Sequence, residues 1–192
     1  MKLTTKHNHI IDFDYLPKNP IVVDAGSKDG SIIKYFNKCE PYIIEADPQH
    51  ITKLKQYFPF VYNYALVGDN SPDKIKFYSY GNVGWGSIYW AERRHKSWPL
   101  SNEYFADTIK INDLLSFLNI DHIDYLKLDI EGAEFDVFST MGYETASKIN
   151  QISCEVHEEF KENGKEMIMD RLRHLEFKDI KMYDSEEVWC RR

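Results

Sequence analysis

Short runs of β-branched and aromatic residues alternate along the chain with stretches whose apolar positions recur at helical spacing. Ile21 to Val23, Tyr42 to Ile44, Phe60 to Val67, Ile123 to Ile130 and Ile149 to His157 read as strands, the first of them apolar enough to be buried on both faces. Between them Ser31 to Asn37, Ile51 to Tyr57 with Leu54 facing in, Leu114 to Leu118 behind an Asn112-Asp113 cap, Ala133 to Met141 and Phe160 to Leu175 read as helices. Lys74 to Tyr80 alternates as a further strand, and Phe177 to Tyr183 with Glu187 to Cys190 predicts a hairpin across Asp184-Ser185-Glu186. Strand and helix in alternation predict an α/β fold: a doubly wound, mainly parallel sheet with a C-terminal antiparallel hairpin.

Two stretches fall outside this pattern. The segment before Ile21, with Pro17 and Pro20, reads as a leader, and its His7 and His9 read as part of a solvated tail rather than as metal ligands. Gly81 to Trp98 is too rich in glycine, aromatic and cationic residues for a regular core element and reads as a loop or lid.

A length of 192 residues suits one domain, residues 1–192, with a real core. Lys and Arg number 24 against 31 Asp and Glu, a formal charge of −7 that repels a phosphate backbone and argues against a nucleic-acid partner. Cys39, Cys154 and Cys190 form neither a disulfide framework nor a metal-binding pair, which fits a reducing compartment. The sequence has no apolar stretch of membrane-spanning length and no signal-peptide core, so a cytoplasmic protein without a membrane partner is expected.

Ile21 to Gly30, IVVDAGSKDG, is an apolar strand breaking into a glycine turn before a predicted helix, the position at which open α/β sheets bind nucleotide-like ligands. Glu45 follows Asp24 by about 20 residues, the offset of an acid that takes ribose hydroxyls. Lys28 stands where a dinucleotide fingerprint needs its second glycine, and no phosphate P-loop is present. S-adenosylmethionine carries no phosphate but does carry a sulfonium, an ammonium and a carboxylate. Asp24 and Asp29 offer carboxylates to those cations, and the turn offers N–H groups to the carboxylate.

On these residues the chain resembles the FkbM family of S-adenosylmethionine-dependent methyltransferases. The likeness is carried by VVDAGSKDGSIIKYF (Val22 to Phe36), YIIEADP (Tyr42 to Pro48), NYALV (Asn63 to Val67), GWGSIYW (Gly84 to Trp90) and YLKLDIEGAEFDVF (Tyr125 to Phe138), in family order. It implies a Rossmann-like methyltransferase fold binding S-adenosylmethionine. Asp24, Gly26 and Gly30 would surround the methionine part, Glu45 would bind the ribose, and Ala65 and Leu66 would border the adenine, with Ser27, Asp29, Ala46, Ser87 and Asp129 also at the cofactor. The family turn often reads GAN; Ser27-Lys28 replace its last two residues, so Lys28 must point away from the cationic cofactor or pair with an acid.

Strand periodicity puts Asp129 with Glu131, and Glu155 with His157, on common sides at two strand ends. His157 or Asp129 is the expected base for an acceptor hydroxyl, with Glu131 and Glu155 orienting the acceptor or the histidine; capping of the next helix is the rival role for Asp129 and Glu131. Trp90, Arg93 and Arg94 in the lid are the expected acceptor contacts, suited to a sugar ring or an acidic group. The same acids are of the type that holds Mg²⁺, but the metal-free reading is preferred. Neither a D-P-P-Y-like turn nor a Pro-Cys pair is present, which disfavours nucleobase methylation. The sequence therefore predicts O-methylation of a hydroxyl on a small molecule or glycan, with N-methylation or a catalytically silent cofactor-binding module as alternatives.

Overall fold

The computed structural model describes residues 3–6, 9–80, 85–89, 100–183 and 186–192. Its architecture is mixed α/β around a large mixed sheet. In chain order the strands are β1 (Leu3–Lys6), β2 (His9–Asp12), β3 (Ile21–Ala25), β4 (Glu40–Ile44), β5 (Phe60–Tyr62), β6 (Ala65–Val67), β7 (Lys74–Tyr80), β8 (Trp85–Ser87), β9 (Leu100–Lys110), β10 (Tyr125–Leu128), β11 (Gln151–Glu155), β12 (Asp179–Tyr183) and β13 (Glu187–Arg191). The α-helices are α1 (Pro48–Tyr57), α2 (Leu114–Leu118), α3 (Glu134–Thr140), α4 (Tyr143–Ser147) and α5 (Gly164–His174).

The large sheet has the order β12-β13-β11-β10-β3-β4-β5. From β11 to β5 every pairing is parallel, whereas β13 runs against both of its neighbours. The chain leaves β3 toward β4 and β5, then returns to place β10 on the other side of β3. A crevice therefore opens beyond the carboxyl ends of β3 and β10, where neighbouring connections diverge. The predicted hairpin exists, but its second strand lies inside and β12 is outermost. Residues 184 and 185 of its turn lie outside the described residues.

Several elements depart from the sequence reading. Ser31 to Asn37 is not an α-helix: it forms turns and a 3-10 turn over Ile33–Tyr35. Its apolar positions nevertheless face the core, with Ile32, Ile33 and Phe36 buried. Two adjacent β-branched residues, in a stretch too short to offset helix nucleation, favour the tighter form. Phe60 to Val67 divides at Asn63-Tyr64, with β5 ending the large sheet and β6 pairing with β9 in a second sheet of order β6-β9-β7-β8. Strand β9, which the sequence reading missed, is half-exposed along most of its length and pairs antiparallel with β7. Part of the supposed lid is regular, because β8 adds to the edge of β7. Asp113 makes no cap hydrogen bond. Asn112 instead bridges Asp69, the Thr140 carbonyl and the Gly142 N–H.

The leader is the largest correction. β1 and β2 form an antiparallel hairpin, and all four residues of β2 are buried. Ile10 N–H donates to Ser153 Oγ at 2.9 Å, Asp12 N–H donates to Gln151 Oε1 at 2.7 Å, and the Tyr125 hydroxyl donates to the Ile10 carbonyl at 3.2 Å. These bonds lay β2 across the face of β10 and β11 and satisfy buried backbone groups without a sheet partner on that side. His9 is consequently 2% exposed and not part of a solvated tail; His7 lies outside the described residues.

Candidate functional site

Beyond the ends of β3, β4, β10 and β11 lies a cavity of about 790 Å³. Of the residues expected to bind cofactor, Asp24, Gly26, Ser27, Asp29, Glu45, Ala46, Ala65, Leu66 and Asp129 line it. Gly30 and Ser87 do not. The Gly30 α-carbon faces the Phe58 ring, where a Cβ would come within 2.3 Å of it. Ser87 is buried; its hydroxyl donates to the Glu131 carbonyl at 2.5 Å and accepts from Tyr89 N–H at 2.9 Å, so it braces the wall. Trp90, Arg93 and Arg94, the expected acceptor contacts, lie outside the described residues.

One half of the cavity is built on the glycine turn. Gly26 has φ +74°, and a Cβ there would lie 1.7 Å from the Asp129 carbonyl oxygen. Glycine is thus required for the close approach of two strand ends as well as for the turn. Asp24, 1% exposed, accepts from Ser27 Oγ at 2.7 Å, and its Oδ1 lies 3.2 Å from Lys127 Nζ. Lys127 also donates to the Gly26 carbonyl at 2.7 Å and lies 3.5 Å from Asp129. Burial opposes the Lys127 charge, but the two carboxylates outweigh it and hold the ammonium well above the ordinary lysine range. In the sequence, Lys127 stands only as one residue of the YLKLDIEGAEFDVF stretch. A lysine inside an apolar strand was the signal that it has buried partners.

Glu45 is buried, with its carboxylate accepting from Lys28 N–H at 2.7 Å and Asp47 N–H at 2.8 Å. Burial raises its pKa to about 7 despite those two N–H groups. Lys28 takes a left-handed backbone, φ 54°, to deliver its N–H, while its side chain is exposed. Asn63, which opens the NYALV stretch, donates to both the Glu45 and Ala46 carbonyls at 2.9 Å and fixes this edge. Ala65, Leu66, Phe77 and Ile88 give the adjoining wall an apolar surface.

The other half gathers the four predicted catalytic residues. His157 Nε2 lies 3.1 Å from Glu131 and 3.8 Å from Asp129, while its Nδ1 lies 3.1 Å from Glu134 Oε1. Glu134, fully buried, also accepts from the His157 and Gly132 N–H groups. Burial disfavours a charged imidazole, but the hydrogen bond to Glu134 and the charges of Glu131, Glu134 and Asp129 prevail and raise His157 to about 10. It is an acid at neutral pH. Burial would raise Asp129 too, yet the Lys127 ammonium and the His157 imidazolium hold it below the usual carboxylate range. Neither expected base is therefore free to take up a proton near neutrality. Glu155 differs: burial and the Asp129 charge push it up to about 7. Glu131 holds its place with φ 52°, a left-handed backbone costing about 1–3 kcal/mol at a non-glycine residue.

The donor set fits S-adenosylmethionine. Among the described residues, Asp24 Oδ1 is buried with no hydrogen-bond partner, and its ion pair is with Lys127. Glu45 has used two of its roughly four lone-pair positions, and carboxylates outnumber lysines around the cavity, as a net cationic ligand requires.

Comparison with curated proteins gives no match by sequence. Among solved structures, an FkbM methyltransferase from Methylobacillus flagellatus KT superposes with a TM-score of 0.54 at 14% identity, covering 90% of this chain and 44% of that one. The chain thus spans under half the length of that structure, and the likeness is one of fold. Magnesium protoporphyrin IX methyltransferase from Synechocystis PCC 6803, with S-adenosylmethionine bound, gives 0.47 at 10% identity, covering 90% and 68%. A precorrin 8W decarboxylase from Methanobacterium thermoautotrophicum gives 0.42 at 14%, covering 91% and 81%. Residues 24–183 match the methyltransferase FkbM domain, and the chain belongs to the FkbM family of S-adenosylmethionine-dependent methyltransferases.

Proposed function

We infer that this protein transfers a methyl group to a hydroxyl of a small molecule or glycan, on a doubly wound Rossmann-like framework. The observation that carries the reading is the joining, in one cavity, of a half suited to the methyl donor with a half of titratable groups suited to a polar acceptor. Asp24, Ser27 and Lys127 would hold the methionine end, Glu45 the ribose, and Ala65 and Leu66 the base. S-adenosylmethionine, when bound, supplies a methyl group already activated by its sulfonium. Positioning is then the main task, worth up to about 7–11 kcal/mol in favourable cases.

The residues of the acceptor half have separable tasks. Asp129, kept ionised by Lys127, lies between the two halves and favours positive charge at the boundary. His157, clamped between Glu131 and Glu134, donates a hydrogen bond rather than accepting a proton. Glu155 orients the acceptor hydroxyl.

Isothermal calorimetry with S-adenosylhomocysteine should show binding by the wild-type protein that Glu45→Ala weakens. Radiolabelled S-adenosylmethionine offered with a panel of methyl glycosides and phenols should yield base-stable ethers. Absence of S-adenosylhomocysteine binding overturns the donor assignment, and methylamine products overturn the hydroxyl assignment.

A further inference from the structure

His9 and Glu187 both lie outside residues 24–183, the span matched by the family domain, yet the fold brings them to the acceptor wall. His9 is 2% and Glu187 4% exposed. His9 Nδ1 lies 3.3 Å from Ser153 Oγ and 3.4 Å from Glu187 Oε2, and Ser153 Oγ donates in turn to Glu187. Ser153 Oγ spends its one proton on Glu187 and so accepts from His9 Nδ1–H, which fixes the ring and its tautomer and leaves Nε2 as the proton-accepting nitrogen. His9 lines the cavity, and one donor atom each from His9, Asp129 and Glu155 lie within 4.8 Å of one another. Three atoms within that distance of one another surround a point no more than about 2.8 Å from each, within hydrogen-bond reach of one oxygen.

We propose that His9 is a catalytic residue that takes the proton of the acceptor hydroxyl, with Glu187 as its positioning residue and the β1–β2 hairpin as the element that delivers it. This rests on the methyl-transfer reading. The hydroxyl sits among His9, Asp129 and Glu155. Nε2 takes its proton, the O–H electron pair forms the new oxygen–methyl bond, and the carbon–sulfur pair remains on the departing thioether. The proton passes from His9 to water when product leaves. Among the described residues, Glu155, Asp129, Glu187 and Ser153 bring polar groups to the ring from β11, the end of β10 and β13. His157, the sequence candidate for this task, is occupied on both nitrogens by carboxylates.

Long-range proton–nitrogen spectra of ¹⁵N-histidine-labelled protein, with and without S-adenosylhomocysteine, test the positioning without any acceptor. The expected result is a proton on His9 Nδ1 and none on Nε2, with mixed tautomers in Glu187→Gln. A proton on Nε2 as the main neutral form overturns the proposal. With the best acceptor of the glycoside and phenol panel, His9→Gln should lower kcat by about 10²- to 10⁴-fold and leave S-adenosylhomocysteine affinity unchanged. His9→Ala should regain part of the loss in added imidazole, which a purely structural role would not produce. Near-wild-type kcat in His9→Gln together with a collapse in Glu155→Gln would make Glu155 the base. Transfer abolished by chelator and restored by Mn²⁺, with broadening of the His9 signals, would make the three donors a metal site instead. Failure of wild-type calorimetry with S-adenosylhomocysteine would count against the methyl-transfer reading alone, since the tautomer is read independently.

Discussion

Replacing Lys127 by Met tests whether one buried ammonium holds the two halves of the cavity together. The substitution keeps most of the side-chain volume but removes a charge that lies 3.2 Å from Asp24 and 3.5 Å from Asp129 and donates to the Gly26 carbonyl at 2.7 Å. Deleting one partner of a buried ion pair costs about 3–5 kcal/mol, because the remaining charge is stranded rather than because the pair was strongly favourable. In a chain of this size that loss should lower the unfolding temperature by about 6–20 °C. The pH dependence adds a second readout. In the wild type Asp129 is held below its ordinary value, so its contribution is present above the unfolded carboxyl pKa and lost as pH falls through the folded one. Without Lys127, burial dominates and the folded Asp129 pKa rises. Stability in the variant is then fully present only below the unfolded pKa and is lost as pH rises. The deficit relative to wild type should therefore shrink from pH 7 to pH 5 in paired urea titrations. A deficit below 1 kcal/mol, or one that does not change with pH, would refute the assignment of Lys127 as the shared counter-ion.

His157 is raised from 6.5 to about 10, so its stabilising contribution is complete below pH 6.5 and lost as pH rises toward 10. Urea unfolding should weaken over that window, and His157→Gln should abolish the dependence. Gly26→Ala would place a Cβ 1.7 Å from the Asp129 carbonyl at a φ of +74°, and calorimetry should find S-adenosylhomocysteine binding lost along with more than about 3 kcal/mol of stability. Asn63→Ala removes two hydrogen bonds to the Glu45 and Ala46 carbonyls. At about 0.5–1.5 kcal/mol each, the affinity for S-adenosylhomocysteine should fall about 5- to 150-fold.

Local signals were sufficient wherever a short stretch contains its own cause. Apolar runs located β3, β4, β10 and β11, and the glycine turn with Glu45 located one side of the cavity, because strand burial, left-handed turns and strand-end acids are each written within a few residues. Alternation also put Asp129 with Glu131 and Glu155 with His157 at the right strand ends. Hidden from the sequence was every feature that depends on a distant partner. The division of Phe60 to Val67 between two sheets rests on which strands lie alongside, and β9 has too mixed a face to announce itself. His157 looked like a base because its neighbours in sequence say nothing of Glu134 buried beneath it. His9 looked like part of a polar tail because Ser153 and Glu187, 144 and 178 residues away, are what bury and orient it. The sequence by itself determined the strand ends and the kind of ligand they suit, since those follow from local geometry and charge. Only the tertiary structure decided which side chains are acids, which are counter-ions and which are free to act, because protonation and hydrogen bonding depend on the neighbours that folding supplies.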